Sequence, residues 1–155
     1  MYTSLEDSEY QSFLNTLLDT QTVYTLSDEN GVAECPSTEY NGADGEPVPV
    51  LCYWSSAEGA NACQNEEWSA YQIEAITLAE FMRTWLLNMD EDECLAGVEF
   101  DAGLYGLEIE PIELLADLMD LAQARGIELD IPDYEELVAY RLEWERMAAG
   151  QTLLN

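Results

Sequence analysis

Two groups of carboxylates are spaced so that they could bind a cation or a basic partner. The first is an uninterrupted run at the end of an apolar helical segment and consists of Asp90, Glu91, Asp92 and Glu93. The second lies on one helix face, at positions i, i+4 and i+7, and consists of Glu113, Asp117 and Asp120. A solvated polar face is the alternative interpretation of the second group, because soluble helices keep such a face opposite their apolar stripe.

The motifs of the chain predict no metal or cofactor site. A calcium-binding loop needs oxygen ligands at alternating positions, a glycine at the bend and a closing glutamate. Cys94 breaks this pattern after the acidic run, and Ala33 and Cys35 break it after the turn Asp28–Gly31. The four cysteines form no CxxC pair and the chain has no histidine, so we expect reduced thiols rather than a zinc site. Cys52 has no basic neighbour and is predicted to be a buried strand residue.

The composition removes most catalytic chemistries. The 155 residues contain 33 Asp plus Glu, four arginines and neither lysine nor histidine, which gives a formal net charge of −29. The chain therefore lacks a histidine base, a Schiff-base lysine and any nucleophile paired with histidine. Glycoside hydrolysis needs two carboxylates that differ in their surroundings, and no pair in this sequence is marked in that way. We expect a protein that is not an enzyme and has no catalytic residues.

The charge also restricts the partners of the chain. Direct binding of nucleic acids is not expected, because it depends on Lys and Arg contacts to phosphates. Binding to anionic membrane surfaces is disfavoured by the same charge, and no apolar run approaches the ~20 residues that cross a bilayer. Residues 1–10 do not have the pattern of a signal peptide. We therefore expect a cytoplasmic protein.

Apolar periodicity predicts four longer helices and one short one. The longer helices cover residues 4–19 with Ser4 as N-cap, the segment from Thr77 to the acidic run, the segment from Pro111 to Gly126, and residues 133–149. The helix that starts at Thr77 has a capping box, with Glu80 as its second member. The short helix is expected over residues 57–65.

Strands are predicted where β-branched and aromatic residues cluster, namely over residues 21–26, 32–35, 48–54, 95–100 and 107–109. Pro49 places the third of these at a sheet edge or at a strand start. Residues 36–47 are expected to form a loop and residues 66–76 an irregular stretch. Together the elements describe a single α+β domain, in which a small antiparallel sheet packs against a single layer of amphipathic helices, with a further C-terminal helix.

Aromatic side chains outside the apolar helix stripes are candidates for an interaction surface. Trp85 belongs to such a stripe and is expected in the core. Trp54 and Trp68 lie at a strand end and in irregular chain, where they can line a groove. The C-terminal helix, which contains Arg141 and Arg146, is the segment expected to mediate a homodimer.

An ordered series of packing residues and turns runs through most of the chain. It comprises Leu17-Leu18, Thr22–Leu26, Val48-Pro49-Val50, Trp54-Ser55, Glu67-Trp68, the helix positions Ile76, Leu78, Phe81, Trp85 and Leu86, then Gly97-Val98 and Leu107–Leu115. This series resembles an uncharacterised bacterial family, domain of unknown function 2750, over residues 5–126. The resemblance implies the family's fold and carries no activity, cofactor or partner. Residues 132–150 form a helical extension beyond it.

The acidity of the chain allows two main interpretations. In the first, the chain is a small acidic binding protein that docks onto a basic protein partner in an immunity-like or regulatory role. The two carboxylate groups then form the contact, with Trp54 and Trp68 as aromatic anchors. In the second, the acidity is an adaptation to salt in a protein with another function. A carboxylate- or metal-dependent enzyme is a third alternative, and the first interpretation is our prediction.

Overall fold

Helices and strands interleave along residues 7–154, the part of the chain that the structure, a computed structural model, describes. The α-helices of this part are α1 Asp7–Thr20, α2 Ala57–Ala62, α3 Leu78–Glu80, α4 Leu86–Glu91, α5 Pro111–Arg125 and α6 Tyr134–Leu154. The strands are β1 Thr22–Asp28, β2 Gly31–Val32, β3 Glu34–Asn41, β4 Pro47–Trp54, β5 Gln72–Thr77, β6 Leu95–Val98 and β7 Leu107–Ile109. The predicted α+β class is confirmed. Ser4, the predicted N-cap of the first helix, lies outside the described residues.

The seven strands of the described residues form one mixed sheet. β4 pairs antiparallel with β1 and β3 and parallel with β6. β1 also pairs with β2 and β5, and β6 with β7, all antiparallel. The parallel β4–β6 pair departs from the wholly antiparallel sheet expected from the sequence. It arises because the segment between the two strands includes β5 and helices α2 to α4, which return the chain to the same end of the sheet.

β3 lies within the segment 36–47, for which the sequence predicts only a loop. β3 pairs with β4 from Glu34 to Pro36 and again at Asn41, and the register shifts between these points. Between these two points, residues 37–40 of β3 lie opposite a single residue of β4. We call these four residues the β3 bulge. Most described side chains of β3 are exposed, which removes the apolar alternation by which strands are recognised in a sequence.

Pro49 lies near the start of β4, which is one of the two places predicted for it. It is opposite Pro36 and just before Val50–Tyr53, the residues that pair with β6. Because Pro49 comes before the residues that pair with β6, its lack of an N–H removes no hydrogen bond from that pairing. This placement allows β4 to be an interior strand despite containing two prolines.

β5 lies largely within residues 66–76, which the sequence predicts to be irregular. A 3-10 turn at Glu66–Trp68 precedes it. β5 pairs with β1 through six residue pairs, yet Ile76 is its only buried residue. Its order depends on backbone hydrogen bonds to β1 rather than on burial, so the sequence contains no period-2 apolar pattern there.

The predicted N-cap at Thr77 is confirmed, whereas the carboxylate of Glu80, the second member of the predicted capping box, accepts a hydrogen bond from the indole N–H of Trp85 at 3.1 Å. The Oγ1 of Thr77 accepts a hydrogen bond from the N–H of Glu80 at 3.2 Å. The helical run that follows, residues 78–91, contains α3 and α4 with a π-helical segment, Phe81–Trp85, between them. Its apolar face is buried as predicted at Phe81, Met82 and Leu86, which are fully buried. Trp85, which the sequence places in the core, is only half-buried.

Helices α5 and α6 complete the fold. Pro111 occupies the first turn of α5, and Gly126 ends the helix with a left-handed φ of 69°, as predicted. On α6, Leu137 is fully buried, whereas Val138 and Leu142 are exposed. Among the described residues, no helix is both long and apolar enough to cross a membrane.

Alternate residues of β4 face two hydrophobic cores on opposite sides of the sheet. Tyr53 belongs to the larger core, which also contains the apolar faces of α1, the 78–91 run and α5. Cys52 and Trp54 belong to a smaller core, to which α2 contributes Ala60 and the 3-10 turn contributes Trp68. The longer helices thus cover one face of the sheet, and short elements cover the other.

Candidate functional site

A cavity of about 490 Å³ lies where α4, β7 and α5 meet the β3 bulge, and we call it the acidic cleft. Five carboxylates line it: Asp90, Glu93, Glu108, Glu110 and Glu113. The other lining residues are Tyr40, Asn41, Val48, Cys94, Leu95, Leu107, Ile109 and Pro111. The cleft therefore combines concentrated negative charge with an apolar wall and one aromatic ring.

The sheet topology brings these carboxylates together. Asp90 lies in the last turn of α4, and Glu93 lies in the turn that leads into β6. Glu108 lies on β7, while Glu110 and Glu113 belong to the N-terminal end of α5. Because β6 and β7 are antiparallel, the start of β6 and the end of β7 lie side by side at the same end of the sheet. Acidic residues at the start of α5 also interact favourably with the helix dipole.

Glu108 connects β7 to the β3 bulge. Its side chain is buried, and Oε1 accepts a hydrogen bond from Ser37 Oγ at 2.6 Å. Its Oε2 accepts hydrogen bonds from the backbone N–H of Thr38 at 3.2 Å and from Thr38 Oγ1 at 3.3 Å. Ser37 Oγ in turn accepts a hydrogen bond from the N–H of Tyr40 at 2.9 Å. Glu108 therefore positions the bulge that brings Tyr40 to the cleft.

Asp90 connects the cleft to α6. Its Oδ2 accepts a hydrogen bond from Tyr140 Oη at 2.6 Å. Burial raises the pKa of Tyr140, and the hydrogen bond to Asp90 and the charges of Asp90 and Glu91 raise it further. The phenol consequently remains protonated and remains a donor. One carboxylate of the cleft thus has a fixed position set by the C-terminal helix.

Glu113 responds to the other negative charges of the cleft. Its pKa is raised, first by partial burial and then by the charges of Asp117 and Glu110. A cation placed beside Glu113 would oppose these charges and lower the pKa again. The raised pKa thus reflects both the partial burial of Glu113 and the negative charge of its neighbours.

The three carboxylates predicted to share one helix face have different surroundings. Asp117 accepts a hydrogen bond from Tyr10 Oη at 2.5 Å, and its pKa is raised, chiefly by burial. Asp120 pairs with Arg141 through hydrogen bonds of 2.7 and 2.9 Å, which lower its pKa. Of the three, Glu113 lines the cleft, and the other two bind side chains of α1 and α6.

The acidic run is divided in a similar way. Asp90 and Glu93 line the cleft, whereas Glu91 and Asp92 are exposed outside it. Asp92 instead borders a smaller cavity of about 270 Å³ beside Trp85. Glu93 has a φ of 60°, a left-handed conformation that turns the chain from α4 towards β6. This turn separates the side chains that the sequence places in one continuous run.

Trp54 and Trp68 do not reach the surface. They are 1% and 6% exposed and pack edge to face, with ring centres 6.5 Å apart. The indole N–H of Trp54 donates a hydrogen bond to the carbonyl oxygen of Phe100 at 2.9 Å. This differs from the anchor role expected from the sequence, because the smaller core under α2 encloses both rings. Among the described residues, the exposed aromatic side chains are instead those of Tyr40 and Tyr105, at 49% and 73%.

Sequence reasoning missed Tyr40, Glu108 and Glu110 as residues of the cleft. Glu108 and Glu110 alternate with Leu107 and Ile109, and this period-2 pattern places both carboxylates on one side of the extended chain. The pattern is a signal that could have identified them. Tyr40 has no comparable local signal, since its position depends on the β3 bulge.

The four arginines lie outside the cleft and pair with acidic residues. Among the described residues, the ion pairs are Arg83–Asp133, Arg83–Glu136, Arg125–Asp19, Arg141–Asp120, Arg141–Glu145 and Arg146–Glu143. The chain has neither lysine nor histidine, so no cationic side chain is among the residues that line the cleft. The negative charge of the cleft is therefore not neutralised by the side chains around it.

The side chains that line the cleft offer hydrogen-bond acceptors to a cationic donor. Carboxylates approach the cavity from α4, from β7 and from α5, and each offers acceptor oxygens only. Hydrogen bonds between a charged donor and a carboxylate are among the strong ones in proteins. Within residues 7–154, no group of three or more Asp, Glu or Cys side chains is arranged to hold a metal ion.

Helix α6, the segment predicted to mediate a homodimer, exposes several apolar side chains. Val138, Leu142 and Met147 are 36%, 58% and 59% exposed. Its inner side carries Leu137 and the half-buried Trp144, which pack against the larger core. The homodimer contact itself stays a prediction.

Sequence comparison gives the cleft a family context. No curated protein matches the chain. A family model described as a protein of unknown function, DUF2750, matches residues 10–118, which is more than half of the chain. The matched segment contains Tyr40 and all five cleft carboxylates, and it ends within α5. The resemblance noted from the packing residues is thereby confirmed, and the chain belongs to the DUF2750 family of proteins of unknown function.

Proposed function

We propose that this protein acts by binding rather than by catalysis, and that its acidic cleft receives a basic side chain of a protein partner. The observation that supports this best is the convergence of five carboxylates on one cavity of about 490 Å³ without a cationic side chain among them. Ligand pockets in proteins span roughly 300–1,000 Å³, so the cleft has the size to enclose a long side chain. An immunity-like or regulatory role fits this mode of action.

Electrostatics favour arginine or lysine as the occupant. The net charge of −29 attracts a cationic surface over a distance and speeds its association. Within the cleft, burial and then the charges of Asp117 and Glu110 raise the pKa of Glu113, and a bound cation would offset those charges. Arginine suits the site better than lysine, because its planar donors can bind two carboxylates at once.

Tyr40 supplies an aromatic contact beside the carboxylates. Its ring is half-exposed and lines the cleft, and its backbone is fixed through Ser37 and Glu108. Aromatic rings stack favourably on guanidinium groups, and tyrosine is enriched at the residues that contribute most to protein interfaces. In this proposal Tyr40 has the role that the sequence analysis assigned to Trp54 and Trp68.

The test compares two triple variants that lose the same charge. The cleft variant carries Glu93→Gln, Glu110→Gln and Glu113→Gln, at positions that line the cavity. The control variant carries Glu9→Gln, Glu29→Gln and Glu128→Gln, at exposed positions outside it. Both retain the same long-range attraction for cations. The probe is a fluorescently labelled arginine-rich peptide, whose anisotropy reports binding at low and at physiological salt.

We expect the cleft variant to bind the peptide more weakly than the control variant. Exposed ion pairs contribute about 0.7 kcal/mol each, so three lost pairs amount to about 2 kcal/mol, or roughly thirtyfold in Kd. The control variant should remain within about twofold of the wild type. Equal weakening of both variants would contradict the cleft as the binding site and would favour acidity as an adaptation to salt.

A further inference from the structure

Strands β3 and β4 carry two cysteines on the same face of the sheet. Cys35 lies opposite Val50, and Cys52 is two residues further along β4, so the two cysteines are diagonal neighbours. Both side chains pack into the smaller core. The largest influence on the pKa of each thiol is a side-chain hydrogen bond with the other, in which Cys52 is the donor.

The two thiols differ in accessibility and in acidity. Cys35 is half-buried, whereas Cys52 is fully buried. The hydrogen bond from Cys52 lowers the pKa of Cys35, against the opposing effects of burial and of the charges of Glu108 and Glu34. The same hydrogen bond, together with burial, raises the pKa of Cys52. Cys35 is therefore the thiol that ionises first and meets a soluble oxidant first.

The other two cysteines have different partners. Cys63 donates to the carbonyl oxygens of Phe100 and Asp101, both at 3.3 Å. Cys94 donates to the carbonyl oxygen of Asp92 at 3.8 Å. Burial, followed by nearby carboxylates, raises the pKa of both thiols. Neither of them has a thiol donor that would stabilise a thiolate, which sets Cys35 apart.

We propose that Cys35 and Cys52 form a reversible intramolecular disulfide when hydrogen peroxide oxidises Cys35. The Cys35 thiolate attacks one peroxide oxygen, the O–O bond breaks, and the leaving hydroxide takes up a proton to give water and a sulfenic acid on Cys35. The sulfur of Cys52 then attacks the sulfur of Cys35 as its own proton leaves. The S–O bond breaks and a second water departs. Two thiols lose two electrons in total, and one peroxide is reduced to two waters.

The pairing geometry allows the bond with a small backbone shift. Diagonal neighbours in an antiparallel pair have Cα atoms about 7–8 Å apart, whereas a disulfide needs about 4.4–6.8 Å. β3 can adjust because its regular pairing around Cys35 covers only the stretch from Glu34 to Pro36. The β3 bulge follows this stretch. Ala33, which precedes it, is held by backbone hydrogen bonds to Leu26 and Cys52, so the shift falls on Cys35 and Pro36.

Peptide mapping of the full chain tests the proposal directly. The native protein is treated with hydrogen peroxide, its free thiols are alkylated, and it is digested with a protease that cleaves after glutamate. Because of the positions of the glutamates, and because the Glu46–Pro47 bond resists cleavage, the four cysteines fall in separate peptides, 35–39, 40–58, 59–66 and 94–99. We expect a linked species of 35–39 with 40–58, lighter by two hydrogens than its separate parts, which disappears after treatment with dithiothreitol.

A matched pair of variants completes the test. Cys35→Ser should abolish the linked species, whereas Cys94→Ser, which replaces another half-buried cysteine, should retain it. The wild-type mapping stands even if one variant fails to fold. A dominant link between any other pair of cysteines would overturn the proposal. So would oxidation of Cys35 to a sulfinic acid while Cys52 is recovered as an alkylated thiol.

Discussion

Replacing Glu108 by alanine tests whether one buried carboxylate holds the β3 bulge in place. The carboxylate accepts hydrogen bonds from Ser37 Oγ, from the N–H of Thr38 and from Thr38 Oγ1. Ser37 and Glu108 are each 8% exposed, so water has little access to the donor that the substitution leaves behind. Thr38 is exposed, and water can replace the acceptor of its two donors.

The expected loss of stability follows from these contacts. A hydrogen bond to a charged acceptor contributes about 1.5–3 kcal/mol, and the 2.6 Å contact from Ser37 belongs at the upper end. The longer Thr38 contacts, 3.2 and 3.3 Å, add less because water replaces them. We expect the free energy of unfolding to fall by about 3 kcal/mol. For a chain of this size that corresponds to a decrease in Tm of about 6–12 °C.

Urea unfolding followed by tryptophan fluorescence measures this loss. Glu110→Ala is the control, because it removes the same charge from the same cleft at an exposed position. It should stay within about 0.5 kcal/mol of the wild type. Glu108→Gln keeps one acceptor oxygen and should lie between the two. If Glu108→Ala costs less than about 1 kcal/mol, or no more than Glu110→Ala, the bulge is not held by Glu108 and our account of how Tyr40 is positioned is refuted.

Three further perturbations have defined outcomes. In Gly97→Ala the added Cβ would lie 2.9 Å from Val50 Cγ1 and 3.0 Å from the ring of Phe100. Urea unfolding should show that Gly97→Ala lowers the free energy of unfolding by about 1–3 kcal/mol. The control, Gly42→Ala at an exposed position, should leave the urea midpoint unchanged. Equal midpoints for both variants would contradict the packing described. Glu113→Gln should alter the pH dependence of stability. Because the pKa of Glu113 is raised in the folded state, its contribution to the free energy of unfolding declines as the pH rises from the ordinary value of 4.5 through the raised pKa. The variant lacks this decline. Identical pH slopes of wild type and variant in urea titrations would argue against a raised pKa of Glu113. Finally, calorimetry should show a higher Tm at about 1 M NaCl, where the Debye length is about 3 Å, because salt screens the charge of −29. A Tm independent of salt would count against self-repulsion and against the salt-adaptation alternative.

The helices were more predictable from the sequence than the strands, for a physical reason. The ends of α5 and the cap at Thr77 depend on local chemistry, namely the fixed φ of Pro111, the left-handed φ of Gly126 and a hydroxyl acceptor. β3 and β5 depend instead on hydrogen bonds to distant strands while most of their described side chains are exposed. A strand of that kind leaves no apolar alternation in the sequence.

The candidate site was predictable only in part. Asp90, Glu93 and Glu113 were selected from local charge spacing, and the structure places all three in the cleft. The contribution of Glu108 and Tyr40 depends on contacts across more than sixty residues of chain, which no local pattern encodes. The burial of the tryptophans likewise depends on a second core beneath α2, a helix of only six residues.

The outer strands of the sheet bear on how molecules of this protein behave in concentrated solution. β5 pairs with β1 on one side, and its exposed Ile73 is followed directly by Glu74. At the other end of the sheet, β7 is three residues long and is followed by Glu110 and Pro111. Carboxylates and prolines beside unpaired strand edges prevent a second copy from adding its own strand. This colloidal protection weakens towards the isoelectric point of about 4.1, where edge-to-edge aggregation becomes the main hazard for the folded protein.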